Sequence, residues 1–204
     1  VLSRLRELLQ NVQQAPGGLQ SAKLPGIVVD NMAAQLTGRW RKSDYSTNFV
    51  DQNYHHDANS DKGKMSARFV PNLPHTGRYE VLVGYTPRYD RATNVPVTIQ
   101  SMDSPRAVAV NQRLAPQYRK VFTSVGTFQF EAGTNGSVVV SNTDTKGFVV
   151  IDAVQFVPID EWKLELAAME APGMELAGTG TTSTAKPAEG MRASMSDGSM
   201  SRFG

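Results

Sequence analysis

The chain has 204 residues, of which 40% are hydrophobic, enough for the core of one large domain or two small ones. Its 21 Lys and Arg residues nearly balance 19 Asp and Glu residues, and a net charge of +2 without a long basic cluster argues against nucleic-acid binding. The lack of cysteine excludes disulfides and thiolate metal sites, and no apolar run approaches the roughly 18 residues of a membrane-spanning helix.

The N-terminal segment, residues 1–24, reads as an amphipathic helix followed by a linker. Val1, Leu5, Leu8 and Val12 share one face of a helix over residues 1–14, which Pro16 and the following glycines end. A single helix of this length is marginal in isolation, so its apolar face should dock on its own domain, on a preceding domain or on a partner helix. Because the chain begins at Val1 without a leader pattern, we expect a processed product or a piece of a longer protein.

Residues 25–158 carry about eight short β-rich runs separated by turn residues, with no helical pattern between them. The runs are Ile27–Val29, Ser66–Val70, Arg78–Tyr85, Val95–Ile99, Ala107–Val110, Val121–Phe130, Val138–Val140 and Phe148–Val157. Parallel strands would need crossover helices of about a dozen residues, for which there is no room. The pattern therefore predicts an all-β, antiparallel, jelly-roll-like β-sandwich.

The C-terminal part divides into a short helix and a low-complexity tail. Asp160 and Glu161 can begin a helix over residues 159–172, in which Trp162, Leu166 and Met169 share a face. Residues 173–204 are rich in Gly, Ser, Thr and Ala and cannot form a core alone, so we expect another chain to order them. The candidate apolar anchors for such a partner are Met174, Met191, Met195, Met200 and Phe203.

The stretch YHHDANSDKG contains a weak calcium candidate. Asp57, Asn59 and Asp61 alternate as oxygen ligands do in a calcium loop. However, Lys62 stands where such a loop requires glycine, and Arg68 stands where it requires a bidentate glutamate. We therefore favour a structural role, in which these side chains shape turns before the next strand.

Other catalytic or metal patterns find little support. His55 and His56 point to opposite sides of an extended segment, so a zinc site built with His75 is not favoured. The chain has no Gly-x-Ser-x-Gly nucleophile motif and no phosphate-binding glycine loop opening a helix. These observations predict a domain without catalytic residues, metal or cofactor.

The stretch RYDRATNVPV is the best candidate for ligand binding. Tyr89 could present an aromatic face, and Asp90, Arg91 and Asn94 could bond to sugar hydroxyls, with Trp40 as a second stacking platform. The alternative is structural: Arg91 and Asn94 would tie the loop between two strands, and Trp40 would belong to the core.

Asp152 lies inside an apolar run. A buried carboxylate needs partners, so we expect Asp152 to pair with an arginine or with backbone amides.

Residues 25–158 resemble the golvesin C-terminal-like domain, also described as the xanthan-lyase carbohydrate-binding-like module. The resemblance is carried by PGIVVDNMAAQLTGRW, RATNVPVTIQ, GTFQFEAGTNGSVVVSN and GFVVIDAVQF, in the family's order and spacing. It implies a jelly-roll-like sandwich at the C-terminus of exported bacterial proteins, including polysaccharide-degrading enzymes and FAD-dependent oxidoreductases. It supplies no catalytic residue, and residues 159–204 have no counterpart in it.

The functional expectation is a non-catalytic binding or assembly module. It would tether a larger exported bacterial protein or complex to neighbouring subunits, a surface or a polysaccharide, using the N-terminal helix and the tail for protein partners. One alternative is an accessory domain of an oxidoreductase or polysaccharide-degrading enzyme whose catalytic part lies upstream. Another is a free-standing carbohydrate-binding module.

Overall fold

The computed structural model describes residues 18–170, so the predicted helix over residues 1–14 and the tail over residues 173–204 lie outside the described residues. The described range holds a short 3-10 turn (Ser21–Lys23), twelve strands and one α-helix. These are β1 Ile27–Asp30, β2 Gln35–Thr37, β3 Arg41–Ser43, β4 Tyr54–His56, β5 Ser66–Phe69, β6 Gly77–Gly84, β7 Val95–Gln100, β8 Arg106–Val110, β9 Phe122–Phe130, β10 Ser137–Ser141, β11 Val150–Ile151, β12 Ala153–Pro158 and α1 Ile159–Glu170.

The strands form three sheets in which every paired strand is antiparallel to its neighbour. One sheet has the order β1-β12-β6-β9, the second β2-β5-β10-β7-β8, and the third β11-β4-β3. The predicted all-β sandwich is confirmed, and each of the eight predicted runs overlaps an observed strand. The short polar strands β2, β3 and β4 were not predicted, because they lack an alternating apolar pattern.

The main core lies between the first two sheets. Side chains from β6, β9 and β12 meet side chains from β5, β7 and β10 in one continuous cluster. The alternation of side chains along each strand produces this core. In β7, Val95, Val97 and Ile99 point inward, while the residues between them are half-buried. The third sheet adds Tyr54, Val150 and Ile151 to the same cluster.

The outer face of the first sheet is also buried. Leu82, Phe122 and Val157 point away from the main core and form a second cluster that Leu24 and Trp162 cover. Strand β6 therefore contributes to both clusters, which explains why its apolar pattern runs on both faces.

Helix α1 is held on this outer face by an aromatic contact and an ion pair. Trp162 meets Tyr118 edge to face at a centroid distance of 4.8 Å. Arg119 donates to Glu165 Oε1 through both Nε, at 3.1 Å, and Nη2, at 2.6 Å. The predicted helix thus packs directly against the sandwich.

Candidate functional site

A cleft of about 150 Å³ opens near the loop that follows β6. Its lining side chains come from four segments of the chain, and they are Ser43, Tyr45, Tyr54, His56, Arg88, Asp90, Arg91 and Phe148. The cleft lies over the sandwich core, since its lining residue Tyr54 also belongs to the main core cluster. The cleft therefore gathers polar and aromatic side chains on a rigid support.

One wall of the cleft is a face of the β3-β4 pair. Antiparallel pairing sets Ser43 opposite Tyr54 and Arg41 opposite His56, and directly opposite residues share a face of the sheet. Ser43 Oγ donates to the Tyr54 hydroxyl at 3.2 Å. Arg41 therefore extends from the same face as the lining residue His56.

Arg91 forms a second wall and is only 6% exposed. Its Nε donates to the Thr86 carbonyl at 3.2 Å, its Nη2 to Thr86 Oγ1 at 3.3 Å and its Nη1 to Asp90 Oδ1 at 3.2 Å. The guanidinium carbon lies 5.6 Å from the ring centroid of Phe148. Burial lowers the pKa of Arg91 from its usual value, although the charge of Asp90 opposes the shift.

The loop that carries Asp90 is fastened to the segment before β11. The Phe148 N–H donates to the Asp90 carbonyl, and the Ala92 N–H donates to the Phe148 carbonyl, both at 2.9 Å. This close approach requires Gly147, which has a φ of +103°, and a Cβ at this position would lie 2.7 Å from the Asp90 carbonyl oxygen. A glycine in the sequence thus permits the wall of the cleft to form.

The rim of the cleft is aromatic and open to solvent. Tyr45 is 84% exposed and Tyr89 is 77% exposed. The guanidinium carbon of Arg88 lies 6.0 Å from the ring centroid of Tyr45 and 5.5 Å from that of Tyr89. A hydrogen bond with Tyr89 and the charge of Asp90 hold the pKa of Arg88 above its usual value, so Arg88 is a permanent cation.

His56 presents a neutral imidazole to the cleft. The Ala58 N–H donates to His56 Nδ1 at 3.0 Å, which places the proton of the neutral ring on Nε2. Burial lowers the pKa of His56, and the charges of Arg91 and Arg41 lower it further, against an opposite effect of Asp57. His56 can therefore donate a hydrogen bond near neutral pH without adding a charge.

The calcium candidates serve different structural purposes. Asp57 is fully buried, and its Oδ1 accepts from the N–H groups of Asn59 and Val149, each at 2.9 Å. Its Oδ2 accepts from Lys62 Nζ at 2.7 Å and from Asn142 Nδ2 at 3.2 Å. The Lys62 ammonium thus supplies the positive charge beside Asp57.

The other two calcium candidates are more exposed than Asp57. Asn59 is exposed, and Asp61 pairs with the exposed Arg39 at 3.6 Å. Within residues 18–170, no group of three or more His, Cys, Asp or Glu side chains is arranged to hold a metal ion. The favoured role in shaping turns agrees with the positive φ values of Ala58, Asn59 and Asp61.

The predicted ligand-binding residues do not all lie at the cleft. Asp90 and Arg91 line the cleft, and Tyr89 flanks it beside Arg88. Asn94 Nδ2 instead donates to the Asp144 carbonyl at 2.9 Å.

Trp40 is half-buried against the sandwich core. Its Nε1 donates to the carbonyls of Thr37, at 3.0 Å, and Ser66, at 3.2 Å, and it is not among the residues that line the cleft. The structure therefore brings together only part of the predicted set.

Sequence reasoning missed Tyr45, Arg88 and Phe148. The signal for Tyr45 was present, since a single aromatic residue stands in the polar stretch from Ser43 to Asn48. An aromatic side chain with no apolar neighbours in sequence has no local reason to be buried. The proximity of Tyr45 to Arg88 depends on the fold and had no signal of this kind.

Asp152 lies outside the cleft and is fully buried. The Val50 N–H donates to both of its carboxylate oxygens, at 3.2 and 3.0 Å, which confirms the expected pairing with a backbone amide. Burial raises the pKa of Asp152 well above its usual value, and the nearby Asp30 and Asp51 add to the shift. Burial likewise raises the pKa of Asp30 to about 6.

No helix in the described part of the chain is long and apolar enough to cross a membrane.

The chain matches known proteins over the sandwich. The sequence model of the golvesin C-terminal domain matches residues 27–158. Xanthan lyase of Bacillus sp. (strain GL1) is 36% identical over 143 residues, which are 67% of this chain and 15% of that protein. The chain thus corresponds to a small part of this relative's length.

Solved structures show the same fold. The structure of Paenibacillus xanthan lyase has 33% identity and a TM-score of 0.61, covering 65% of this chain and 13% of that chain. The Podospora anserina GH26-CBM35 β-(1,4)-mannanase has 17% identity and a TM-score of 0.50, covering 66% of this chain and 28% of that chain. The second likeness is one of fold alone. Because the family match spans the whole sandwich, the chain belongs to the golvesin C-terminal domain family.

Proposed function

We propose that residues 25–158 form a non-catalytic polysaccharide-recognition module of a longer protein exported by a bacterium. The observation that carries this proposal is the exposed group of Tyr45, Arg88 and Tyr89 beside a polar cleft. The similarity to xanthan lyase supports a polysaccharide as the ligand and an accessory role beside a polysaccharide-degrading domain.

The chemistry of the cleft suits a sugar. The apolar C–H face of a pyranose ring stacks on an exposed aromatic ring, as Tyr45 and Tyr89 offer. Hydroxyl groups need both donors and acceptors, which Arg88, His56 Nε2–H and Asp90 supply. At about 150 Å³, the cleft is smaller than the roughly 300–1,000 Å³ of pockets that enclose a ligand, which favours contact with one sugar of a long chain.

A binding role also fits the way the polar groups of the cleft are arranged. Hydrolysis of a glycosidic bond usually requires two carboxyl groups on opposite sides of the bond. Among the described residues, Asp90 is the one carboxylate that lines the cleft, and it lies between Arg91 and Arg88. We therefore expect binding without hydrolysis.

An assembly role remains the second proposal. It would use the N-terminal helix and the anchors Met174, Met191, Met195, Met200 and Phe203, all of which lie outside the described residues. Two alternatives concern the setting of the domain. As an accessory domain of an oxidoreductase, or as a free-standing carbohydrate-binding module, it would bind its ligand at the same cleft.

The test is affinity electrophoresis and calorimetry of the full chain with a panel of xanthan, dextran, mannan, alginate, polygalacturonate and hyaluronan. We expect binding to at least one polymer, at least tenfold weaker in a Tyr45→Ala, Tyr89→Ala double variant. Met102→Ala, which removes another exposed apolar side chain away from the cleft lining, should bind as the wild type does.

Three outcomes would change the proposal. Unaltered binding in the double variant would remove this cleft, and loss of binding in Trp40→Ala alone would move the site to Trp40. Release of sugar fragments by the purified chain would contradict a non-catalytic role.

A further inference from the structure

We infer that the sugar recognised at this cleft carries a carboxylate, so that the ligand class is an acidic polysaccharide. This inference rests on the proposed function and adds the chemical class of its ligand. It depends on the charge and geometry of the arginine residues around the cleft.

The cleft has an excess of positive charge. Arg88 and Arg91 line it, and Arg41 extends from the same sheet face as His56. Among the described residues, Asp90 is the single carboxylate of the lining, and His56 is neutral. The local charge therefore remains positive after the internal ion pairs are formed.

Asp90 is already engaged by the protein. Its Oδ1 lies 3.2 Å from Arg91 Nη1, and its Oδ2 lies 3.6 Å from Arg88 Nε. The tighter of these pairs holds the buried Arg91, whose role is to support the wall. Arg88 is thus the arginine of the lining that is available to a ligand.

Arg88 is positioned to hold a carboxylate. Its side chain is 45% exposed, and contacts with Asp90 and Tyr89 engage only part of its five N–H donors. The guanidinium group lies beside the rings of Tyr45 and Tyr89, which limits its motion before a ligand arrives. A planar guanidinium held in this way binds a carboxylate through two parallel hydrogen bonds, and less ordering entropy is lost.

Residues next to the cleft add to its positive charge. Arg113 is exposed, and its Nε donates to the Arg91 carbonyl at 2.8 Å, so another cation lies next to the cleft. Asp44 is exposed between two lining residues in sequence but is not itself part of the lining. A neutral sugar would bury part of Arg88 with only Asp90, which Arg91 shares, as a countercharge, whereas a uronate would supply a second carboxylate.

The test compares polymers that differ only in charge. The full chain is titrated with polygalacturonate, alginate and hyaluronan, and with the carboxyl-reduced form of each. We expect at least one carboxylated polymer to bind at least tenfold more tightly than its reduced form. Raising NaCl from about 50 mM to about 500 mM should weaken the carboxylated polymer and leave the reduced form nearly unchanged.

Three variants at two arginine positions locate the effect. Arg88→Gln should lower affinity for the carboxylated polymer about tenfold and affinity for the reduced form much less, because glutamine still donates to a hydroxyl but carries no charge. Arg88→Lys should retain part of the affinity for the carboxylated polymer. Arg78→Gln makes the same change of charge on an exposed residue at the opposite end of β6 and should have no effect. Thermal melts of both glutamine variants check that they fold.

The outcomes separate this inference from the proposed function. Equal affinity for carboxylated and reduced polymers, or binding to neutral polymers only, would overturn the inference and leave polysaccharide recognition standing. Equal losses in Arg88→Gln and Arg78→Gln would overturn it as well, because the effect would be one of total charge. Binding to no polymer in either panel would overturn both.

Discussion

Two neighbouring polar regions of this domain use similar residues for opposite purposes. Around Asp57, carboxylate, amide and ammonium groups satisfy one another in the interior, with Lys62 also donating to Thr145 Oγ1 at 3.1 Å and to the Gly147 carbonyl. Around Arg88, the guanidinium group and two tyrosine rings face solvent. The two regions meet at Gly147, which packs against the loop that carries Asp90.

The difference shows how to separate structural from functional polar groups. A buried carboxylate with four hydrogen bonds has no capacity left for a ligand, and removing it leaves buried donors without a partner. Exposed aromatic and cationic groups beside a cleft contribute little to stability and are available to a ligand. The interior network then supports the open cleft.

The largest effect is expected from Asp57→Ala. This change leaves the Lys62 ammonium and three other donors without their buried partner, so we expect a loss of about 3–5 kcal/mol in the free energy of unfolding. Urea denaturation measures it. Asp61→Asn, which removes the exposed ion pair with Arg39 and keeps a residue that tolerates the positive φ at this position, is the control and should change stability by less than about 1 kcal/mol. Equal effects of the two variants would remove the distinction between the regions.

The junction of the two regions can be tested with Gly147→Ala. The added Cβ meets the Asp90 carbonyl at 2.7 Å in a backbone conformation with a φ of +103°, so we expect a loss of about 1–3 kcal/mol and weaker polysaccharide binding. Gly133→Ala is the matched control, because its φ of +91° carries similar strain but nothing lies within 4 Å of the new Cβ. If both variants lose binding equally, contact at Gly147 does not shape the cleft.

The half-buried Asp30 and the buried Asp152 should make stability depend on pH. Because the folded-state pKa of Asp30 is raised to about 6, its proton stabilises the fold fully below pH about 4, and this contribution is lost as pH rises to about 6. Asp152, with a pKa shifted in the same direction, loses its contribution over the pH range above about 4.

Asp152→Asn removes the charge and keeps an acceptor for the Val50 N–H. We therefore expect the variant to be about 1–2 kcal/mol more stable at pH 7 and unchanged near pH 3. Thermal denaturation as a function of pH measures both, and an equal change at the two pH values would contradict the assignment to ionisation of Asp152.

The stability of the domain should change little when exposed residues around Arg88 are substituted. Tyr45→Ala and Arg88→Gln remove exposed groups, so we expect changes in the free energy of unfolding within about 0.5 kcal/mol while polysaccharide binding falls. Denaturation and binding are measured on the same preparations. A loss of several kcal/mol would mean that these residues support the fold and would weaken their role as ligand contacts.

The smallest expected effect is that of metal removal. Because the Lys62 ammonium supplies the positive charge at Asp57, EDTA should leave the melting temperature unchanged. Calorimetry with and without added Ca²⁺ is the measurement. A rise of several degrees on adding Ca²⁺ would contradict this role of Lys62 and revive the calcium candidates.

The sequence by itself determined the fold class, the family and most of the strands. Runs such as Val95–Gln100 alternate in polarity with the period of a strand, and Ile159–Glu170 begins with two acidic residues before a buried tryptophan. These signals are local, because the burial of one face is encoded by residues a few positions apart. The polar strands β2 and β3 were not predicted, since they form only by pairing with neighbouring strands that the fold brings to them.

Only the tertiary structure decided which polar residues are fully hydrogen-bonded in the interior and which face solvent. Asp57 and Lys62 are close in sequence, but three of their other partners, Asn142, Thr145 and Gly147, come from the loop after β10. The contacts of Arg88 with Tyr45 depend in the same way on loops that pack on the sandwich. Hydrogen-bond saturation and solvent exposure are properties of such long-range contacts, and no periodicity along the chain carries them.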